Sequence, residues 1–496
     1  MTNSIVAAGE PPEPTDGIVP VSPQLPVWKP LLFGAFAGGM AWGIRGQYGH
    51  ETGAMIAGLL LSATLTLLCG GTRLSGFDAL RAVAWGTIAM GFGGSMTYGQ
   101  TVGLTHDPEL VGHRDALLWG MLGLAIKGGL WIGFGGVFLG MGLGGKRYRP
   151  LEMLAVMVGL LMLCWLGIQL LNEPFDPAQR RLPRWYFSDD WRWEPGASLK
   201  PRREVWGGML FAWLGLMSYV RYRRQDILGF RLGWWGLLGG ALGFPLGQCL
   251  QAYHAWHPEI FHAGIWIQVD PLINWWNWME TTFGAVMGAV LGLGLWLNRD
   301  SIRPWDSVPI DPSPAWVGCV LLAIHVPLLV FEQFFSVRWI NELYDFGLIL
   351  GFLPILGVVV DRSWSYWIIP ITVLPIAGKT LKELVYQQHA MAPSLGWILY
   401  LIIPLGLAVG LAVWLRQRAQ GDSSAHRSLR PLVLVAAWLF FGLNYAFFHF
   451  PWPWRAWTVR TPNAIAFTVC LVGLTWIALQ PRGARSSNSG PEKSHS

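Results

Sequence analysis

The chain has 496 residues, of which 53% are apolar and only 13% charged, and its mean hydropathy is +0.39. A soluble globular chain carries about 25% charged residues, so this composition excludes a soluble enzyme and predicts an all-α, polytopic integral membrane protein. The net charge of +6 is modest and the basic residues sit in short loops, which excludes a nucleic-acid-binding surface.

Residues 1–27 carry Glu10, Glu13, Asp16 and several prolines, without the basic and apolar regions of a signal peptide. They read as a disordered tail, as does the Ser/Gly-rich stretch 481–496. Between them lie about fourteen apolar runs, taking roughly 17–25 residues per membrane helix. The first seven cover 28–44, 53–69, 80–98, 116–141, 151–171, 204–220 and 230–250. The others cover 279–297, 315–332, 344–361, 364–379, 395–415, 430–448 and 463–480. The tight pair around Arg362 is also compatible with a re-entrant hairpin.

Alternate connections hold Arg73 and Arg81, Lys146 and Arg147, Arg221 to Arg224, Arg299 and Arg303, Arg362, Arg416 to Arg430, and Arg482. Short loops rich in Lys and Arg stay cytoplasmic. This predicts both termini inside a cytoplasmic (inner) membrane and about seven hairpins whose connecting loops face out. The longest outer loop, 172–203, mixes its arginines with Glu173, Asp176, Asp189, Asp190 and Glu194.

The first hairpin organises the chain. From Gly34 to Leu61 an apolar, Gly-rich run ends in Arg45-Gly46-Gln47-Tyr48-Gly49-His50-Glu51, and a second apolar run starts at once. An Arg at bilayer depth costs on the order of 3 kcal/mol. It either snorkels to the headgroups or joins a buried network, and Gln47, His50 and Glu51 favour the network. The guanidinium fork suits a carboxylate or phosphate.

The pattern recurs. Gly38-Gly39, Gly46-Gln47 and Glu51 in the first hairpin match Gly93-Gly94, Gly99-Gln100 and Asp115 in the second. Gly239-Gly240, Gly247-Gln248 and Glu280 in the fourth complete the partial internal repeat. Each Gly-Gln is expected at a helix exit, and each carboxylate in the first turn of the returning helix. There a carboxylate either complements the helix dipole or meets a ligand. Lys127 falls near mid-depth in its run, where an ionisable residue marks a site or pairs with an acid on another helix. Acids at that depth are few, chiefly Glu51, Glu280 and Glu332.

Arg45, Gln47, His50, Glu51, Gln100, Asp115, Lys127, Gln248 and Glu280 are therefore the candidate substrate-binding residues. Arg45, Gln47, His50 and Glu51 are expected to converge with the amides of Gln100 and Gln248. His254, His257 and His262 lack the frame of a zinc motif, and neither a metal nor a cofactor is expected. Broken, Gly-rich repeats with ionisable mouths predict a secondary transporter or flippase acting on a small-molecule or lipid-linked substrate. Asp189-Asp190 among tryptophans supports the alternative, an outer-face transferase. A non-catalytic assembly or sensor protein is the third reading.

Overall fold

The structure, a computed structural model, describes residues 25–480 apart from 72, 97, 180, 189–200, 306–314, 336, 346, 362–363, 420–423 and 448–456. The expected tails (but for residues 25–27), Asp189-Asp190 and Arg362 thus lie outside the described residues.

All regular structure among the described residues is helical. The first five helices are α1 (Trp28–Arg45), α2 (Glu51–Gly70), α3 (Gly76–Phe92), the short α4 (Gly99–His106) and α5 (Arg114–Leu143). Next come α6 (Pro150–Gly167), α7 (Trp206–Ser218) and α8 (Ile227–Trp256). The short α9 (Pro258–Phe261) and α10 (Trp266–Val269) lead into α11 (Trp275–Leu297). Then follow α12 (Ala315–Phe334), α13 (Arg338–Asp345), α14 (Leu353–Val360), α15 (Trp364–Leu381) and α16 (Pro393–Trp397). Last are α17 (Ile403–Ala419), α18 (Ala425–Phe447) and α19 (Thr461–Leu479). Nine helical stretches among the described residues are long and apolar enough to cross a bilayer. Side chains cap the starts of three helices: Ser75 accepts from Asp78 N at 3.1 Å, Asp226 from Gly229 N at 3.0 Å, and Asn274 from Asn277 N at 2.9 Å.

Six helices close a ring. In order round it they are α1, α2, α3, α5, α8 and α11, each packed on the next, with α11 back against α1. Neighbours run antiparallel. Along the α1–α11 seam Gly34 lies against Gly288 and Gly38 against Gly284. Between α5 and α8 the same opposed order pairs Gly128 with Gly240 and Gly140 with Gly229. A Cβ on Gly38 would overlap the carbonyl oxygen of Gly284, and one on Gly240 that of Gly128. Glycine here lets backbones touch, which is how helices gain dispersion energy where no hydrophobic force drives them together. The first, second and fourth hairpins, which carry the repeated Gly-Gly, Gly-Gln and carboxylate pattern, occupy successive places round this ring.

The other helices surround the ring. α6 and α7 pair with each other, and α7 reaches it through α5 and α8. α6 turns most of its surface outward, with Leu151 80% and Met162 66% exposed, as a lipid-facing helix would. α15, packed with α12 and α17, joins a second group to α2 and α3, and α18 and α19 lie against α1, α2 and α3. The basic connections gather at one end: Arg73 pairs with Asp300 at 2.8 Å, Arg303 N donates to Leu143 O at 3.0 Å, and Ala425 N to Leu74 O at 3.1 Å.

Local structure departs from the expected repeat in three places. Gly46 does cap α1, but Gly99-Gln100 opens the short α4, and Gln248 sits inside α8, which continues two turns further to Trp256. Glu280 is the sixth residue of α11 rather than one of its first turn. The repeated Gly-Gln pattern suggests an exit at Gln248, and Pro245 lies inside α8 just before it. Packing on α5 and α11 keeps the helix intact regardless.

Candidate functional site

The end of the ring opposite the basic loops holds the polar groups. α1 delivers Arg45 there, the segment before α4 delivers Tyr98, and α11 delivers Glu280; each is at most 2% exposed. Tyr98 Oη donates to Glu280 Oε1 at 2.9 Å and accepts from Arg45 Nη1 at 3.0 Å and also from Nη2. The direct Arg45 Nη1–Glu280 Oε1 separation is longer, 3.7 Å. So the phenol bridges a loose ion pair, and one group comes from each of the three ring hairpins. Arg45 Nε has no hydrogen-bond partner among the described residues.

Aromatic rings enclose this junction. The guanidinium lies 5.1, 5.2 and 5.3 Å from the ring centres of Trp42, Tyr98 and Trp131. Desolvated cation–π contacts of this kind contribute about 2 kcal/mol or more. One turn deeper, Trp42 meets Trp131 at 5.1 Å and Phe283 at 4.5 Å between centroids, so α1, α5 and α11 together plug the ring below the charges. Phe244 of α8 stacks on Phe283 at 4.5 Å and touches Tyr98 at 4.8 Å.

Above the junction the chain is open to solvent. Gly46 is exposed, and Gln47, His50 and Glu51 are half-buried. A Cβ on Gly46 would overlap Glu280 Oε2, so only glycine lets the carboxylate sit against the turn. His50 Nδ1 lies 3.4 Å from Arg45 Nη2, and its ring meets Tyr98 edge-on at 5.0 Å. Burial, followed by the charges of Arg45, Arg202 and Lys379, pushes the His50 imidazole down to about 3. It is therefore neutral near pH 7 and able to accept a hydrogen bond. Glu51 starts α2, where the neighbouring Thr52 N donates to Tyr344 Oη at 3.4 Å. Gln47 makes no side-chain hydrogen bond among the described residues.

The remaining candidates lie elsewhere. Gln248 Nε2 donates to Thr105 Oγ1 at 2.7 Å, and Gln100 Oε1 accepts from Arg202 N at 3.2 Å. Gln248 and Gln100 therefore bond to different partners, neither of which is another of the three amides. Two of them belong to other local structures than the α1 exit, and each bonds to what that structure places nearby. Asp115 is exposed in the first turn of α5, where its charge complements the helix dipole. Lys127 is buried, but its partner is none of Glu51, Glu280 and Glu332. It donates to Glu204 Oε1 at 2.6 Å and to Thr101 Oγ1 at 2.7 Å. Glu204 also accepts from Ser188 Oγ at 2.9 Å and Phe187 N at 3.0 Å. This second cluster is closed and satisfied.

Tyr98 and Glu204 are the two key residues that the sequence reading passed over. A tyrosine beside Gly99-Gln100 does not stand out in a chain with 31 tryptophans and 12 tyrosines. Glu204 carried a usable signal: it is the acid that opens the run 204–220, and a buried lysine needs such a partner. Among the histidines, His254 Nε2 lies 2.8 Å from Asp270 Oδ1 and His257 Nδ1 3.2 Å from Glu259 Oε1. Compared with family models, with curated proteins and with solved structures, the chain matches none.

Proposed function

We propose that this chain is a secondary carrier or flippase of the cytoplasmic membrane, with about fourteen crossings paired as seven hairpins and both termini cytoplasmic. The three ring hairpins are repeats of one unit, and their Gly-rich seams let them shift against one another. The substrate is an anion, free or lipid-linked, that enters past Gln47, His50 and Glu51 and binds the Arg45 guanidinium in place of its loose partner Glu280.

One observation carries this proposal. Arg45 sits where three hairpins meet, held by a bridged 3.7 Å ion pair, with solvent-accessible polar residues above it and an aromatic plug below. An ion pair that loose leaves the guanidinium fork able to exchange Glu280 for a ligand carboxylate or phosphate. Movement of the plug would then expose the bound anion to the far side, as alternating access requires.

The test is a panel of organic anions and lipid phosphates scored by thermal stabilisation of the purified protein. The best binder is then followed in proteoliposomes. Binding that is lost in Arg45→Gln, together with flux of chemically unchanged solute, supports a carrier. Conversion of the binder to a product in detergent, where no gradient exists, identifies a transferase instead and overturns the proposal. So does binding that Arg45→Gln leaves intact.

A further inference from the structure

On the same end of the molecule, a cavity of about 700 Å³ lies between the last turns of α8, the loop before α11, and the start of α19. Its walls include Leu250, Ile273, Trp275, Trp278, Thr282 and Trp457. That volume is in the range of ligand pockets, about 300–1,000 Å³, but the lining is almost wholly apolar.

α11 shows how this cavity relates to the Arg45 junction. Trp275, Trp278 and Thr282 follow i, i+3, i+7 spacing and form its cavity face. Trp276, Glu280 and Phe283 follow i, i+4, i+7 spacing and form its ring face; Trp276 lies 6.5 Å from Tyr98, ring to ring. The cavity therefore opens on the outside of the ring, toward the surrounding bilayer, where Leu250 and Ile465 are exposed. The two faces share only the first turn of α11. At the cavity rim Asp270 Oδ1 accepts from Trp275 Nε1 at 2.7 Å and lies 2.8 Å from His254 Nε2. Arg460 lies between the wall residues Trp457 and Pro462 and is near enough to Glu280 for their charges to interact.

We infer that this cavity holds the apolar chain of a bilayer lipid whose phosphate headgroup is bound by Arg460 and reaches Arg45 over the first turn of α11. This rests on the carrier proposal and narrows its substrate to a lipid phosphate. A wall this apolar, open to the bilayer, suits a hydrocarbon chain and offers a soluble anion little. Arg460 supplies the matching positive charge at the level where headgroups lie, among the tryptophans that favour that level. The headgroup would complete the fork of Arg45, while the chain stays outside the ring and never crosses the aromatic plug.

The full chain in nanodiscs is irradiated with a phosphatidic acid carrying a diazirine in its acyl chain, and with the matching diacylglycerol. Crosslinked residues are mapped by mass spectrometry. Phosphatidic acid is expected to label the stretches around Leu250, 269–282 and 457–462 about tenfold more than the lipid-facing side of α6. Thr282→Trp, which fills the cavity, should remove that excess, and Arg460→Gln should reduce it to the diacylglycerol level. Ile273→Trp, in the loop, repeats the test if Thr282→Trp does not fold. Labelling that is equal on α6, or undiminished by filling the cavity, means annular contact only and overturns the inference. Arg45→Gln separates the two proposals. If cavity labelling persists while lipid transfer in liposomes is unaffected by Arg45→Gln, the cavity stands and the carrier site falls. If a soluble anion is carried and no cavity labelling occurs, the carrier site stands and the lipid assignment falls.

Discussion

Two buried ion pairs involve helices of the ring, and they are built differently. Lys127 and Glu204 meet at 2.6 Å, and Thr101, Ser188 and Phe187 N fill the remaining hydrogen-bonding positions around them. Arg45 and Glu280 stand 3.7 Å apart, joined through the Tyr98 phenol, with the Arg45 Nε unpartnered among the described residues. A tight, saturated pair has no capacity left for a ligand, and its charges hold α5 to the segment before α7. A bridged pair with a donor to spare can rearrange. Burial alone does not distinguish them, since all four side chains are at most 3% exposed. What separates them is the count of satisfied atoms, together with the route to solvent that Gly46, Gln47 and His50 provide above Arg45.

The largest expected effect breaks the tight pair. Removing one partner of a buried pair leaves an uncompensated charge and costs about 3–5 kcal/mol. Lys127→Met and Glu204→Gln should each lower the melting temperature sharply and reduce the yield of monodisperse protein. The double variant Lys127→Met/Glu204→Met should recover most of the loss, because neither charge is then stranded. If Glu204→Gln instead left a stable protein without flux, the roles of the two pairs would have to be exchanged.

Arg45→Gln should act the other way, on flux more than on stability. Arg45→Gln also strands a buried carboxylate, but Glu280 keeps the Tyr98 hydroxyl as a donor at 2.9 Å and loses a partner already 3.7 Å away, so the loss of stability should fall at the low end of that range, about 3 kcal/mol. Flux in proteoliposomes should fall below detection, and Arg45→Lys should not restore it, since a point charge does not replace a planar fork. Measured together, melting temperature and flux sort the two pairs into support and site. Equal loss of folded protein in Arg45→Gln and Lys127→Met would erase the distinction.

Part of this was legible in the sequence. Sparse charge and long apolar runs gave the all-helical membrane class, and the Arg45–Glu51 turn pointed to a buried polar network at the end of α1. The repeated pattern picked out the three hairpins that form the ring. What the repeat did not carry was the geometry inside each unit. Glu280 was read as a first-turn residue because the sequence does not reveal that Asn274 already caps α11 and starts it five residues earlier. The Gly-Gln pattern marks Gln248 as an exit, whereas the contacts with α5 and α11 that keep α8 running past it are tertiary. Glu204 lies just past a long mixed-charge loop, and only the folded chain brings it across to Lys127.

A glycine pair sharpens the comparison between repeat units. Gly46 and Gly99 occupy the same place in the repeat, but a Cβ at Gly46 would overlap Glu280 Oε2 while one at Gly99 would meet nothing within 4 Å. Gly46→Ala should push the carboxylate away from Tyr98, with an overpacking cost of about 1–3 kcal/mol and a drop in flux. Gly99→Ala should be close to neutral in both measurements. Similar effects at both positions would mean that the motif acts as a helix breaker in each unit, not as a seat for Glu280.

The smallest expected effect concerns His50 and acid. Its folded imidazole titrates only at about 3, held down first by burial and then by Arg45, Arg202 and Lys379, against an ordinary value of 6.5. As pH falls through about 6.5 the unfolded chain takes up this proton while the folded chain does not, so the unfolded state binds more protons and is favoured. This group therefore makes stability decline steadily with acid down to its folded pKa, and the decline is absent above the unfolded value. His50→Asn keeps an acceptor near Arg45 Nη2 and removes the titration. Its melting temperature should change less between about pH 7 and pH 5 than that of the parent chain. Thr101→Val, in the Lys127 cluster, leaves the His50 imidazole in place, so its melting temperature should keep the parent chain's dependence on pH over the same range. A parent-like slope in His50→Asn would mean that the imidazole lies free in solvent rather than against the Arg45 junction, and the polar entrance above Arg45 would lose its innermost residue.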